Sequence, residues 1–360
     1  MSRGFSSNDQ PACTTLSHPP DFVPFDMTWN ILNTAKPFVD SGKNGVRLLE
    51  AANCTVTTTA RQCPLSVADL KAELPGIHAV IAGSDDFSAE ILASPEAADL
   101  RIVQRWGVGY DAIDLEAATR QGIIIGYLPG YLDNVVADYH WALLLGIARR
   151  IPWGQAGMLK GEWSPAWGHD IVGRTLGIIG CGRIGTAVAR RARGFDMRLL
   201  GSDPAPSKAA RETGIDFISL DELLDQSDFV SINAAATEEN RAFIGEAQLR
   251  RMKPTAYLIN TARGSLLDES ALLKALQENW IAGAALDCFV EEPLPAEHPL
   301  RTAPNVLLCP HMAPFAWGNA AEMNRGSAQN ILDVLAGKHT NLVVNPEVFD
   351  SSALRVKSDA

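Results

Sequence analysis

Short apolar runs recur along the first part of the chain, and segments with helical spacing of apolar residues separate them. A continuous apolar run that ends at glycine or at a polar residue is typical of a buried strand in a parallel sheet. Strands that alternate with helices indicate βαβ units. The pattern predicts a helix over residues 45–52 and strands over 29–34, 55–58, 79–82, 101–104 and 123–125.

A second series of the same kind follows a long helix predicted over 134–150, whose apolar residues lie on most faces and which we expect to be buried. The connection 151–170 is rich in tryptophan and glycine and is predicted to be irregular. Strands are predicted at 175–179, 198–201, 229–233, 256–260, 283–286 and 305–308, and a final amphipathic helix at 318–336. The chain is therefore expected to build two parallel α/β sheets.

The composition narrows the classes of function. Of the 360 residues, 46% are apolar and 20% are charged, which is ordinary for a globular protein of two domains. The formal net charge of -11, without a basic block, argues against a nucleic-acid or anionic-membrane partner. The most apolar long stretch, 135–147, contains Asp138 and His140 and is too short to span a bilayer.

The N-terminal segment and the cysteines add two expectations. Residues 1–27 are polar and proline-rich and lack the apolar core of a signal peptide, so we expect a disordered extension. The six cysteines form no C-x-x-C pair and lie in no histidine-rich cluster. We therefore expect free thiols in a reducing cytoplasm, with neither a metal site nor a disulfide framework.

A glycine-rich loop joins the first strand of the second series to a helix. Gly180, Gly182 and Gly185 have the spacing in which the first glycine permits a tight turn and the second lets the backbone approach a pyrophosphate. The third lets the helix pack close to the strand, and the helix N-terminus, with Arg183 and Ile184, stabilises the phosphate charge. Because strand and helix flank the loop, the sequence predicts a dinucleotide site.

Asp203 follows the next strand, in the position where an acid accepts hydrogen bonds from the ribose hydroxyls of the adenosine. The alternative for this residue is a turn before Pro204. A carboxylate repels a 2′-phosphate, and no arginine follows closely. The expected cofactor is therefore NAD, not NADP.

Three later strands end in candidate catalytic groups, Arg263, Glu292 and His311. A guanidinium holds a carboxylate through two parallel hydrogen bonds, and an imidazole exchanges a proton with a carbonyl oxygen. A carboxylate beside the imidazole fixes its tautomer. Singly, each residue has an ordinary structural explanation, such as a surface ion pair, a loop hydrogen bond or an acidic turn. Their joint position at strand ends, after a dinucleotide loop, favours hydride transfer to or from a 2-hydroxy acid.

These residues belong to a longer set of motifs that covers most of the chain from about residue 45 to residue 345. Because it contains this set of motifs, the sequence resembles the D-isomer-specific 2-hydroxyacid dehydrogenases. The motifs are Gly107-Val-Gly-Tyr-Asp111 with Ile113-Asp-Leu115, Leu176 to Gly185 with Asp203, Asn260-Thr-Ala-Arg-Gly264 with Asp268, Ala285-Leu-Asp287 through Glu292-Pro293, and Pro310-His311.

The resemblance implies roles for individual residues. Arg263 binds the substrate carboxylate, His311 is the acid–base residue, Glu292 is its partner, and Asp287 contacts the nicotinamide carboxamide. Thr237 and Ala262 join the cofactor site. The implied substrate-binding residues are Gly83, Ser84, Arg105, Val108 and Gly109, although an ion-pair role for Arg105 is equally open.

The resemblance also implies a layout of two Rossmann-like domains, one flavodoxin-like and one dinucleotide-binding, with a cleft between them. The substrate domain is split, 28–130 plus 319–345, around an NAD-binding domain of 131–318, and 346–360 form a C-terminal tail. The helix 134–150 is placed at a homodimer interface, and the partner is a small 2-hydroxy or 2-keto acid.

Three segments depart from the family pattern: 110–112, 233–237, and the bulky 312–317 after His311. They leave the identity of the substrate open. Two alternatives also stay open at this point. One is an NAD(H)-sensing binding protein similar to C-terminal-binding protein, and the other is a dehydrogenase of a phosphorylated or inorganic oxyanion.

Overall fold

The computed structural model describes residues 25–356, and the predicted extension 1–27 lies almost entirely outside them. The chain divides into two compact units, one formed by residues up to Tyr131 together with those from Ala316 onward, and the other by Leu132–Phe315. Each unit is built around its own parallel sheet.

The first unit contains a five-stranded parallel sheet in the order β2-β1-β3-β4-β5. This order is that of flavodoxin-like folds, in which the strand order reverses between β1 and β3. Its elements are β1 Trp29–Asn33, α1 Pro37–Asp40, α2 Asn44–Ala51, β2 Cys54–Thr58, α3 Val67–Glu73, β3 Ala79–Ala82, α4 Ala89–Leu92, β4 Ile102–Arg105, α5 Leu115–Arg120 and β5 Ile124–Gly126.

The second unit contains a seven-stranded parallel sheet in the order β12-β11-β10-β9-β6-β7-β8, which is a dinucleotide-binding order with one further strand. Its elements are α6 Asp133–Ala148, α7 Ile151–Leu159, β6 Thr175–Ile179, α8 Arg183–Ala192, β7 Arg198–Ser202, α9 Lys208–Arg211, β8 Asp216–Phe217, α10 Leu220–Gln226, β9 Phe229–Ile232, α11 Glu246–Arg251, β10 Tyr257–Asn260, α12 Glu269–Gln277, β11 Gly283–Leu286 and β12 Val306–Leu308.

The chain then returns to the first unit with α13, Trp317–Leu335, which packs against α2. A short 3-10 helix, Pro346–Asp350, follows, and the guanidinium of Arg355 donates to the carbonyl oxygen of Leu100 at 3.0 Å. The described part of the predicted C-terminal tail therefore packs onto the first unit.

The two parallel sheets confirm the predicted fold class. The strands over Ala79–Ala82, Thr175–Ile179 and Gly283–Leu286 have the predicted bounds. The side chains of these strands are buried on both faces of the sheet, which explains why their sequences are continuous apolar runs. The helix α6 is buried as expected, against α8 and the strands β10 and β11.

The prediction of an irregular connection over 151–170 is wrong for its first half, because Ile151–Leu159 is the helix α7. Arg150, at φ 59, ends α6 in the left-handed conformation and turns the chain, and Pro152 fits the first turn of the new helix. Two glycines within the helix obscured its pattern. Among the described residues, no helix has both the length and the apolar character needed to cross a membrane.

Candidate active site

The glycine loop between β6 and α8 has the geometry that its spacing predicts. Gly180 has φ 85 and lies against the loop that follows β9, the neighbouring strand in the sheet, where an added β-carbon would be 2.5 Å from the backbone nitrogen of Ala234. A β-carbon on Gly185 would lie 2.1 Å from the carbonyl oxygen of Gly180, so this glycine allows helix and strand to approach. Gly182, in contrast, faces open space. The loop therefore leaves room for a pyrophosphate at the N-terminus of a ten-residue helix.

Asp203 follows β7 and is tied to the glycine loop. Its Oδ2 accepts the backbone N–H of Cys181 at 2.7 Å, and its Oδ1 accepts that of Ala205 at 2.8 Å. Each carboxylate oxygen keeps a second lone pair, which fits the predicted hydrogen bonds with ribose hydroxyls. In the first turn of α8, Arg183 is exposed and Ile184 packs on the core of the unit.

The three predicted catalytic residues follow three neighbouring strands. Arg263 comes after β10, Glu292 after β11 and His311 after β12. These strands are adjacent and parallel, so their carboxyl ends share one edge of the sheet. Ligands bind at this edge in open α/β sheets.

Glu292 and His311 are in direct contact. His311 Nδ1 lies 2.8 Å from Glu292 Oε2, and Glu292 Oε1 accepts the backbone N–H of Phe289 at 2.9 Å. Both side chains are partly exposed, 40% for His311 and 33% for Glu292, so the pair remains accessible to a small molecule. The second carboxylate bond fixes Glu292 while the first orients the imidazole.

The charge state of Glu292 follows from opposing effects. Burial raises the pKa of this carboxyl, but the hydrogen bond from His311 and the N–H of Phe289 outweigh burial, and the nearby Arg263 adds to them. The net pKa is lowered. Glu292 is therefore an anion at neutral pH, and both of its carboxylate oxygens act as hydrogen-bond acceptors.

Asn260, which the sequence analysis placed in a motif without giving it a role, shapes the turn that carries Arg263. Its Oδ1 accepts the N–H of Ala262 at 3.0 Å, and its Nδ2 donates to the carbonyl oxygen of Arg263 at 2.9 Å. The guanidinium of Arg263 donates to the carbonyl oxygen of Ala262 at 2.7 Å. The signal available in the sequence was a polar residue at the end of an apolar run, and the structure buries this residue completely.

The predicted substrate-binding residues form a second group, in the first unit. Gly83 and Ser84 follow β3, and Val108 and Gly109 lie beyond β4, the neighbouring strand. Arg105, the last residue of β4, donates from Nη1 to the carbonyl oxygens of Ala82 at 3.1 Å and Trp106 at 3.2 Å. These bonds place its guanidinium between the two segments, and the substrate role stays a prediction.

A buried pair supports the loop at Gly83. The hydroxyl of Thr34 donates to the carboxylate of Asp85 and accepts the N–H of Gly83 at 3.2 Å. Asp85 also accepts the N–H of Leu65 at 2.7 Å. The sequence does not reveal this pair, because Thr34 follows β1 and is 51 residues away from Asp85.

Thr237 occupies a different setting from the other predicted cofactor residues. It is exposed after β9, and its backbone N–H donates to Asn240 Oδ1 at 2.8 Å as part of a helix cap. Its contact with the cofactor stays a prediction.

Comparison with known proteins places this geometry in a family. Residues 141–313 match the family model "D-isomer specific 2-hydroxyacid dehydrogenase, NAD binding domain". The chain is 44% identical over 272 residues to a glyoxylate reductase of Korarchaeum cryptofilum, covering 74% of this chain and 81% of that protein. It is 41% identical over 319 residues to a glyoxylate reductase of Thermococcus kodakarensis, covering 85% and 94% of the two chains.

A solved structure agrees with these sequence matches. The crystal structure of a glyoxylate reductase from Paecilomyes thermophila superposes with a TM-score of 0.76 at 30% identity, covering 88% of this chain and 98% of that one. The glycine loop, residues 180–185, lies within the matched NAD-binding domain. The chain therefore belongs to the D-isomer specific 2-hydroxyacid dehydrogenases and is an NAD-dependent enzyme that interconverts 2-hydroxy and 2-keto acids.

Proposed function

We propose that the enzyme interconverts a small 2-keto acid of the glyoxylate class and its 2-hydroxy acid, with His311, Glu292 and Arg263 as catalytic residues. The observation that carries this proposal is the 2.8 Å contact between His311 and Glu292 at the sheet edge where β10 delivers Arg263. The relatives described above are named glyoxylate reductases, which supports a substrate of that size.

In this proposal the imidazole of His311 exchanges a proton with the substrate oxygen. Because Glu292 holds Nδ1, the exchanged proton is carried by Nε2. The anionic Glu292 stabilises the protonated ring that donates to the carbonyl oxygen during reduction. In the reverse direction the same ring takes the hydroxyl proton back.

Arg263 acts as the carboxylate clamp. A guanidinium offers parallel N–H groups that match a carboxylate and fix the orientation of the keto carbon. NAD, when bound, supplies or accepts the hydride at its nicotinamide. The residues proposed to hold it are Gly180, Gly182, Arg183, Ile184, Gly185, Asp203, Thr237, Ala262 and Asp287.

A substrate panel tests the proposed function. Glyoxylate, hydroxypyruvate, pyruvate, phosphorylated 2-keto acids and phosphite are assayed with NADH or NAD, as the direction requires, and with NADPH. Turnover is expected with glyoxylate or hydroxypyruvate and NADH. If phosphite were the only compound turned over, the proposed 2-keto acid substrate would be wrong and the enzyme would be a dehydrogenase of an inorganic oxyanion. Tight NADH binding without turnover of any compound would favour an NAD(H)-sensing protein.

The variant Arg263→Ala tests the carboxylate clamp. Hydrogen bonds to charged groups contribute about 1.5–3 kcal/mol each, so kcat/KM for the keto acid is expected to fall on the order of a hundredfold. NADH affinity is expected to stay within about twofold of the wild-type value. Arg120→Ala, which removes an exposed arginine paired with Glu116, is the matched control. Unchanged turnover in Arg263→Ala would contradict the assignment.

We also propose that the enzyme is a homodimer. Segment 151–172 in the second unit exposes Leu159, Trp163 and Trp167, which are 78%, 83% and 98% exposed. Apolar surface of this kind is typical of a protein–protein interface. Light scattering is expected to give a molar mass twice the 38.7 kDa of one chain. The double variant Trp163→Ser with Trp167→Ser is expected to lower this mass toward that of a single chain. A wild-type mass of one chain would contradict the proposal.

A cytoplasmic location is proposed on chemical grounds. The described cysteines, at positions 54, 63, 181, 288 and 309, are free thiols, which suits a reducing compartment. Activity in the soluble cytoplasmic fraction of cells that express the protein is the expected result, and its recovery in a secreted or membrane fraction would contradict it.

A further inference from the structure

Glu269, at the start of α12, contacts the backbone of the segment that carries Glu292. Its Oε1 accepts the backbone N–H of Val290 at 2.8 Å, and its Oε2 lies 3.3 Å from Nε2 of His298. The side chain of Glu269 is only 12% exposed and that of His298 is 23% exposed. This second carboxylate–imidazole pair is therefore sheltered from solvent.

The tautomer of His298 follows from its other contact. Nδ1 of His298 accepts the backbone N–H of Leu300 at 3.3 Å, as the cap of a 3-10 helix. A ring nitrogen that accepts carries no hydrogen, so Nε2 has the hydrogen and donates it to Glu269. His298 thus fixes the orientation of the Glu269 carboxylate through this hydrogen bond.

Gly264 also packs closely against this segment. A β-carbon on Gly264 would lie 1.9 Å from the carbonyl carbon of Phe289 and 2.4 Å from the nitrogen of Val290. The backbone directly after Arg263 therefore packs against 289–290. Because the N–H of Phe289 donates to Glu292, any movement of this segment moves the Glu292 carboxylate as well.

We propose that Glu269 is a positioning residue for the reaction: through Val290 it holds the 289–292 segment so that Glu292 stays in contact with His311. The proposal rests on the function proposed above. The charged groups that face Glu292 are His311, Arg263 and Asp287, and Glu269 acts on it only through the backbone. In this proposal Glu269 does not touch substrate or cofactor.

The experiment compares Glu269→Ala with Glu246→Ala, which removes an exposed glutamate paired with Arg250 on the neighbouring helix α11. In Glu269→Ala we expect kcat to fall about tenfold, with KM for the keto acid and NADH affinity within about twofold. The alkaline limb of the pH profile of kcat is expected to move to lower pH, because a displaced Glu292 stabilises the protonated imidazole less. The control is expected to match the wild type.

Two further variants keep the test independent of folding. Glu269→Asp retains the charge but is one methylene shorter and loses the reach to Val290, so it is expected to shift the profile in the same direction. Glu269→Gln retains one oxygen for this N–H but turns its NH2 group toward the Nε2–H of His298, so its kcat is expected to lie between those of the wild type and Glu269→Ala. A profile that stays at the wild-type pH in both Glu269→Asp and a folded Glu269→Ala would overturn the proposal. Failure of the proposed function itself is distinct, because it appears as inactive wild-type enzyme.

Discussion

The carboxylate of Asp287 accepts the backbone N–H of Met312 at 2.8 Å, and its second oxygen accepts that of Ala313 at the same distance. Asp287 follows β11, whereas Met312 and Ala313 follow β12. His311, directly before them, has φ 55, a left-handed conformation that is uncommon for residues other than glycine. One buried carboxylate thus holds the turn that presents the imidazole.

Because Asp287 is buried, the free energy of unfolding is expected to depend on pH. Burial raises the pKa of Asp287 from 3.8 to about 6, although the two N–H groups oppose the shift. A pKa above the unfolded value means that stability from this group is present below pH 3.8 and lost as pH rises to about 6. Between pH 4 and pH 7, the wild type is expected to lose on the order of 2 kcal/mol relative to Asp287→Asn, measured by urea unfolding. Parallel pH dependences in the two proteins would contradict the prediction.

The glycine loop offers two substitutions with different consequences. Gly185→Ala places a carbon 2.1 Å from the carbonyl oxygen of Gly180, so backbone must move and the free energy of unfolding is expected to fall by about 1–3 kcal/mol. Gly182→Ala meets open space and, as a substitution at the N-cap of α8, is expected to lower stability by less than about 1 kcal/mol. The added methyl is nevertheless expected to weaken NADH binding about tenfold or more, because the pyrophosphate approaches there. Titration of NADH fluorescence and thermal unfolding separate the two effects, and equal behaviour of the two variants would be inconsistent with this geometry.

Asp203 is expected to set the preference between coenzymes. Its carboxylate repels a 2′-phosphate, so the wild type should use NADH at least about tenfold better than NADPH in kcat/KM. Asp203→Ser removes the charge and is expected to narrow this ratio, mainly through a higher KM for NADH. Asp216→Ser, at an exposed position of β8, is the control and should retain the wild-type ratio. A ratio unchanged in Asp203→Ser would show that another residue selects the coenzyme.

The hydrogen bonds that Thr34 makes with Asp85 and Gly83 can be tested in the first unit. Thr34→Val removes the hydroxyl that bonds both Asp85 and Gly83, so the N–H of Gly83 and Oδ2 of the buried Asp85 each lose this partner. Stability is expected to fall by about 1–3 kcal/mol. Because Gly83 and Ser84 are predicted to bind substrate, KM for the keto acid should rise while NADH affinity is unchanged. Thr28→Val, at an exposed threonine, is the control. Unchanged KM in a destabilised Thr34→Val variant would remove this loop from the substrate site.

Much of the fold could be predicted from the sequence because parallel strands buried on both faces leave continuous apolar runs. The elements that escaped prediction lack such a signal. The strand β8 has only two residues, Asp216–Phe217, and pairs with β7 at the edge of the sheet. The helix α7 has no buried residue and contains two glycines, so neither burial nor propensity marks it.

The sequence by itself determined the kinds of groups available: a glycine loop followed by an acid, and Arg263, Glu292 and His311 at strand ends. Local spacing carries this information because each motif lies within one strand-to-loop turn. The tertiary structure decided which groups touch. It joined Glu292 to His311, Asp287 to the 312–313 backbone, and Glu269 to Val290, across separations of 19 to 26 residues. Such contacts depend on the order and register of strands in the sheet, and local sequence patterns do not encode these directly.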